Sequence, residues 1–153
     1  MAIARRPIAF WIIVVFLTTS IVLMLMGQTT AVLDYDLSVR LGFQESIGQV
    51  GEFGVQVNRA FGAGDTAVYV PLMIVSLFGL ILKKRWSLLT TAAVAGVSAY
   101  WSVTIIFIFL FLPGVPGYVY APGPVIWLFV GIYTVFGVWG LLYLLFHGDA
   151  LLT

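Results

Sequence analysis

Apolar residues fall into four long runs along the chain: Ile8 to Met26, Ala67 to Leu82, Leu88 to Leu112 and Val125 to Phe146. Runs of this length match the roughly 20 helical residues needed to cross a hydrocarbon core. Lipid offers no partner to a bare N–H or C=O, so a continuous apolar span satisfies its backbone only as a helix. The alternation of a transmembrane barrel strand is absent. The pattern therefore predicts an all-α integral membrane protein, with residues 1–153 forming one bundle of four transmembrane helices. An outer amphipathic segment lies between the first and second spans, within the loop 27–66.

That loop holds the stretch SIGQVGEFGVQVNRAFGAGD, residues 46–65. Phe43, Ile47, Val50, Val57 and Phe61 fall on one helical face, and Glu45, Gln49, Glu52, Gln56 and Arg59 on the other. Gly48, Gly51 and Gly54 oppose a helix, each costing about 1 kcal/mol relative to alanine, and Phe53, Val55 and Val57 alternate as a strand would. The stripe favours a helix over Glu45 to Phe61, resting on the bundle mouth or in the headgroup layer. Its glycines offer a face for close backbone approach. Gly62-Ala63-Gly64 is expected to end it, and Asp65 to cap the second span through the free amides at that helix start.

Hydrophobic residues make up 62% of the chain and charged residues 8%, so the few charges carry the topology. Arg5-Arg6 precede the first span and Lys83-Lys84-Arg85 separate the second from the third. Basic residues in short loops mark the cytoplasmic side, so both termini and the 83–85 turn are expected inside. Arg5-Arg6 before an apolar run also resembles a secretory leader, but the run is longer than a typical signal core. So short a turn makes the second and third spans antiparallel neighbours. The other loop, LPGVPGYVYAPGP, has four prolines and is expected to form an ordered, non-helical cap.

With no cysteine, the chain has no disulfide, thiolate metal site or thiol redox chemistry. The single histidine, His147, precedes Gly148 at the end of the fourth span, a position suited to a helix C-terminus. No metal and no cofactor is expected. Asp34, Asp36, Glu45 and Glu52 are the candidate outer-loop cation contacts, through carboxylate oxygens, although solvated loop charge is the simpler reading. No ionisable side chain other than tyrosine lies within a predicted span, which argues against proton-coupled transport unless Asp65 or another loop carboxylate reaches inward.

Hydroxyls do occur at depth. At about 1.5 Å per helical residue, Ser20, Ser76, Ser98, Ser102, Tyr133 and Thr134 fall near the bilayer midplane, beside Tyr100 and Trp101. Interhelical hydrogen bonding explains them, helped by Ala92, Gly96, Ala99, Gly131, Gly137 and Gly140 as close-packing positions. The alternative is a midplane ligand pocket built from Ser20, Ser76, Ser98, Tyr100, Trp101, Tyr133 and Thr134, with Pro71 as a kink.

These features point to a non-catalytic small membrane protein, an accessory or assembly subunit that docks by helix packing. Its expected partners are the lipid bilayer and other membrane subunits or copies of itself, with no nucleic acid. Two alternatives stand beside it: a homo-oligomeric channel with an acidic outer vestibule, and a carrier or enzyme for a lipid-soluble molecule near the midplane.

Overall fold

The structure is a computed structural model, and it describes residues 6–153. Helix α1 spans Ile8–Leu33, α2 Tyr35–Arg40, α3 Ile47–Ile81, α4 Trp86–Phe111 and α5 Pro124–His147, followed by a 3-10 turn at Gly148–Leu152. The described residues contain no strand, and four helices are long and apolar enough to span a membrane. The protein is an all-α, multi-pass membrane bundle.

The spans pack in chain order. α1 lies on α3, α3 on α4, and α4 on α5. Small residues set the tightest contact: a Cβ added to Gly137 of α5 would stand 2.5 Å from the Ala99 nitrogen and 2.8 Å from the Ala95 carbonyl of α4. A Cβ on Gly79 of α3 would likewise meet Ser87 and Trp86 at 2.6 Å, so glycine brings α3 close to the start of α4. α1 and α5 meet chiefly through long side chains: Phe16 stacks on Phe136 with ring centroids 3.4 Å apart, and the Tyr133 hydroxyl donates to Ser20 Oγ at 2.8 Å. An apolar groove of about 1020 Å³ remains between these two helices, with Ser20 and Tyr133 among its lining.

One end of the bundle carries Arg6 and the basic turn Lys83–Arg85, while Arg40 and Arg59 lie at the other. Arg6 donates to the Leu151 carbonyl at 2.7 Å and to the Ile81 carbonyl at 3.3 Å, with its guanidinium over the Phe10 ring. It thus ties the start of α1, the end of α3 and the C-terminal turn together, next to the tight turn Lys83–Arg85. Arg5 lies outside the described residues.

Three expectations at the opposite end are corrected. The first helix runs on past Met26 to Leu33, because a π-helical turn at Leu25–Thr29 carries it through Gln28 and Thr29 without a break. Gly62-Ala63-Gly64 does not end the amphipathic helix. Gly64 has ordinary helical angles, and Gly62 serves packing instead, since a Cβ there would stand 2.7 Å from the Gln28 carbonyl of α1. The amphipathic segment and the second span are therefore one helix, α3. Asp65, in turn, is no N-cap: it begins a second π-helical turn, Asp65–Tyr69, inside α3.

The amphipathic segment is helical, not a hairpin. Ser46 and Gln49 form a capping box at its start, and Gly51 bends it with φ of 70°, a left-handed conformation that glycine adopts without a Cβ penalty. The proline-rich loop between α4 and α5 is irregular and joined to it: the Val119 amide donates to the Gln49 carbonyl at 2.8 Å.

Candidate functional site

Beneath the first part of α3 lies a cavity of about 470 Å³, bounded by α4, the loop after it and the start of α5. Val50, Gly54, Val57 and Phe61 of α3 form the roof, drawn from the apolar stripe visible in the sequence. Ile105, Ile108 and Phe109 of α4 and Ile126 and Phe129 of α5 form the walls, and Trp101 the floor. The Trp101 ring meets Phe129 edge-on at 6.1 Å and Tyr133 at 5.6 Å, closing the aromatic base.

The rim is polar. Gln28, Gln44, Glu45, Glu52 and Asn58 line it together with Tyr118 and Tyr120. Asn58 Nδ2 donates to Glu45 Oε2 at 3.0 Å and to the Tyr35 hydroxyl at 3.1 Å, while Tyr35 donates to the Glu45 carbonyl at 2.9 Å. Glu45 is thereby held at the mouth by Asn58 and Tyr35. Burial, and then the nearby Glu45 carboxylate, raise the phenols of Tyr118 and Tyr120, the latter to about 12. Both remain neutral hydroxyl groups at physiological pH. The charged side chains on the rim are both acidic, and the chamber below is apolar. A volume of this size is within the roughly 300–1,000 Å³ range of small-molecule sites.

The residues expected to form one midplane pocket are dispersed. Ser76 is fully buried, with its hydroxyl donated to the Leu72 carbonyl at 2.8 Å. Tyr100 is 74% exposed on the outside of the bundle. Ser20 and Tyr133 pair across α1 and α5. Ser98 donates to the Val94 carbonyl at 2.9 Å, so Tyr69 is the donor in the 2.6 Å contact between their hydroxyls. Thr134 Oγ1 lies 2.9 Å from both Ser102 Oγ and the Val130 carbonyl. These are interhelical and backbone-directed hydrogen bonds, and of the seven only Trp101 lines the cavity.

The four acidic loop residues do not converge either. Asp34 accepts from the Leu37 amide at 2.9 Å and caps α2, Asp36 sits in the first turn of that helix, and Glu45 and Glu52 are on the cavity rim. No group of three or more acidic, histidine or cysteine side chains close enough to hold a metal occurs among the described residues.

Comparison with protein-family models, curated proteins and solved structures finds no match. The site's own geometry therefore carries the functional reading. One feature of it is not legible in the sequence. Asn58 and Tyr35 position Glu45 through a fold-back of the loop that no local pattern records. Asp65, outside the cavity lining, does turn inward: it is only 7% exposed, inside a continuous helix and two residues before the apolar run that begins at Ala67. The spacing of Asp65 and Tyr69, one turn apart and directly before an apolar run, was the available signal.

Proposed function

We propose that this is a non-catalytic membrane protein that binds a small amphiphilic molecule, with the apolar part of the ligand in the chamber above Trp101 and its polar, hydrogen-bond-donating or cationic end at the Glu45 rim. The observation that carries this reading is the polarity gradient of one cavity, acidic at the mouth and aromatic at the floor. An acidic rim beside aromatic faces favours a donor or a cation over an anion. The only histidine, His147, lies at the far end of α5, away from the chamber. The positive-inside reading places the basic end in the cytoplasm and the mouth of the cavity on the other side.

Photolabelling tests this. An alkylamine with a diazirine at its tail, applied to the protein in nanodiscs, should label the stretches 57–61 and 101–109. Equal labelling of the exposed outer positions Leu110, Val125 and Leu128 would contradict it.

A second reading is supported by the groove between α1 and α5. A membrane helix of another subunit would fit an apolar trough of that size by side-chain packing, which keeps the accessory-subunit role open alongside ligand binding. Crosslinking from Val15 or Val135 in native membranes should then capture a defined second protein; lipid alone would count against it.

A further inference from the structure

The two π-helical turns, Leu25–Thr29 of α1 and Asp65–Tyr69 of α3, face each other, joined by a 2.9 Å hydrogen bond between the Thr29 and Thr66 hydroxyls. Each turn inserts one residue into a helix and disturbs its i to i−4 ladder, a distortion frequent at functional sites. Asp65 sits at this junction, 7% exposed, with Oδ2 buried and without a hydrogen-bond partner. The rest of the polar interior is almost fully paired, with Thr91 Oγ1 the other buried side-chain atom lacking a partner among the described residues.

A buried, unpaired carboxylate costs several kcal/mol in effective desolvation, so such a group takes a proton, finds a cation or draws in water. Among the described residues no basic side chain pairs with Asp65, and the one ion pair is Arg85–Asp149, at the opposite end. The titratable groups within electrostatic reach are Tyr69 on its own helix and Tyr133 on α5. Thr29 and Thr66 are already bonded to each other, which leaves one carboxylate and few free oxygens, poor provision for a cation that wants six or more ligands.

We propose that the junction is a proton-binding site, with the Asp65 carboxyl taking and releasing the proton, and that its charge state sets the position of the roof part of α3 over the cavity. The proton comes from and returns to water, forming and breaking one O–H bond, with no other reactant. The mechanical link is direct: the π turn at Asp65 joins the roof, residues 47–64, to the membrane-spanning part, Val70–Ile81. The closed arrangement suits the neutral acid. Ionisation requires the junction to admit water, which it does by swinging the roof away. The proposal is independent of what the cavity holds.

The test uses the full chain in phosphatidylcholine nanodiscs. Because the chain has no cysteine, a spin-label pair can be placed through Gln56→Cys and Leu110→Cys without background. The distance between the labels should shift between a short and a long population as pH is varied, and Asp65→Asn should hold the short distance throughout. Asp65→Glu should restore a pH response. Infrared difference spectra should contain a carboxylic-acid carbonyl band that is lost in Asp65→Asn. A distance unaffected by pH, a pH response unchanged in Asp65→Asn, or absence of the carbonyl band would overturn the proposal. A shift driven by replacing choline with sodium at constant pH, in the native protein only, would overturn it in favour of a cation site.

Discussion

The two ends of the bundle solve the same packing problem differently. At the basic end, Gly79 makes room for the side chains of Ser87 and Trp86, and Arg6 closes the end by donating to free carbonyls. At the other end two helices carry π turns, a buried carboxyl goes unpaired, and α3 arches over a chamber of about 470 Å³. Well-packed regions contribute stability, and sites that bind or move are drawn from regions that give some of it up. The proposed binding site lies at the cavity end.

The comparison can be broken most forcefully in the tight region. Gly137→Val should be the most damaging substitution, since its Cβ would collide with α4 backbone that cannot give way. A loss of about 3 kcal/mol is expected, the upper range for overpacking. Gly131→Val, with nothing within 4 Å of the added Cβ, should leave stability nearly unchanged. Steric-trap unfolding in bicelles would measure both, and equal effects would remove the distinction between packed and open glycines.

Arg6→Met should follow, at about 2 kcal/mol, by removing charge-assisted bonds to carbonyls at two helix ends. The same unfolding assay reads it, and faster proteolysis near residues 81–85 should accompany the loss. Tyr133→Phe deletes one interhelical bond and leaves Ser20 unsatisfied. The expected cost is about 0.6–1 kcal/mol, the scale of such bonds in membranes.

Much of this was legible because hydrophobic length is a direct consequence of bilayer thickness. The four spans, the three-residue turn at Lys83–Arg85 and the apolar stripe Val50, Val57, Phe61 all follow from local pattern. The join between that stripe and the second span was not legible. Glycines at 62 and 64 ordinarily signal a helix end, and only the packing of Gly62 against the Gln28 carbonyl shows why the helix continues. Depth along a helix axis does not give rotation about it. Tyr100 and Trp101 are sequence neighbours, and one faces outward while the other floors the cavity. The rim depends on residues far apart in sequence, such as Glu45 with Tyr120, so no short window contains it.

The smallest expected effect lies in the rim's response to alkali. The Tyr120 phenol is raised to about 12 by burial first and Glu45 second. The folded state therefore holds that proton more tightly than the unfolded chain, whose phenol titrates near pH 10. Below about pH 10 the group leaves stability unaffected, and between about pH 10 and pH 12 stability falls as the unfolded state gains by ionising. Ultraviolet titration should detect a late-titrating tyrosine that Tyr120→Phe removes, with a shallower loss of stability over the same window.

The central claim is that the chamber above Trp101 holds a small molecule, and native mass spectrometry of gently purified protein tests it most directly. The native chain should carry a bound species of small-molecule mass in stoichiometric amount. Ile105→Trp, which fills the chamber from α4, should fold normally and lose that species. An identical set of bound masses in the native protein and in Ile105→Trp, or none in either, would contradict the account.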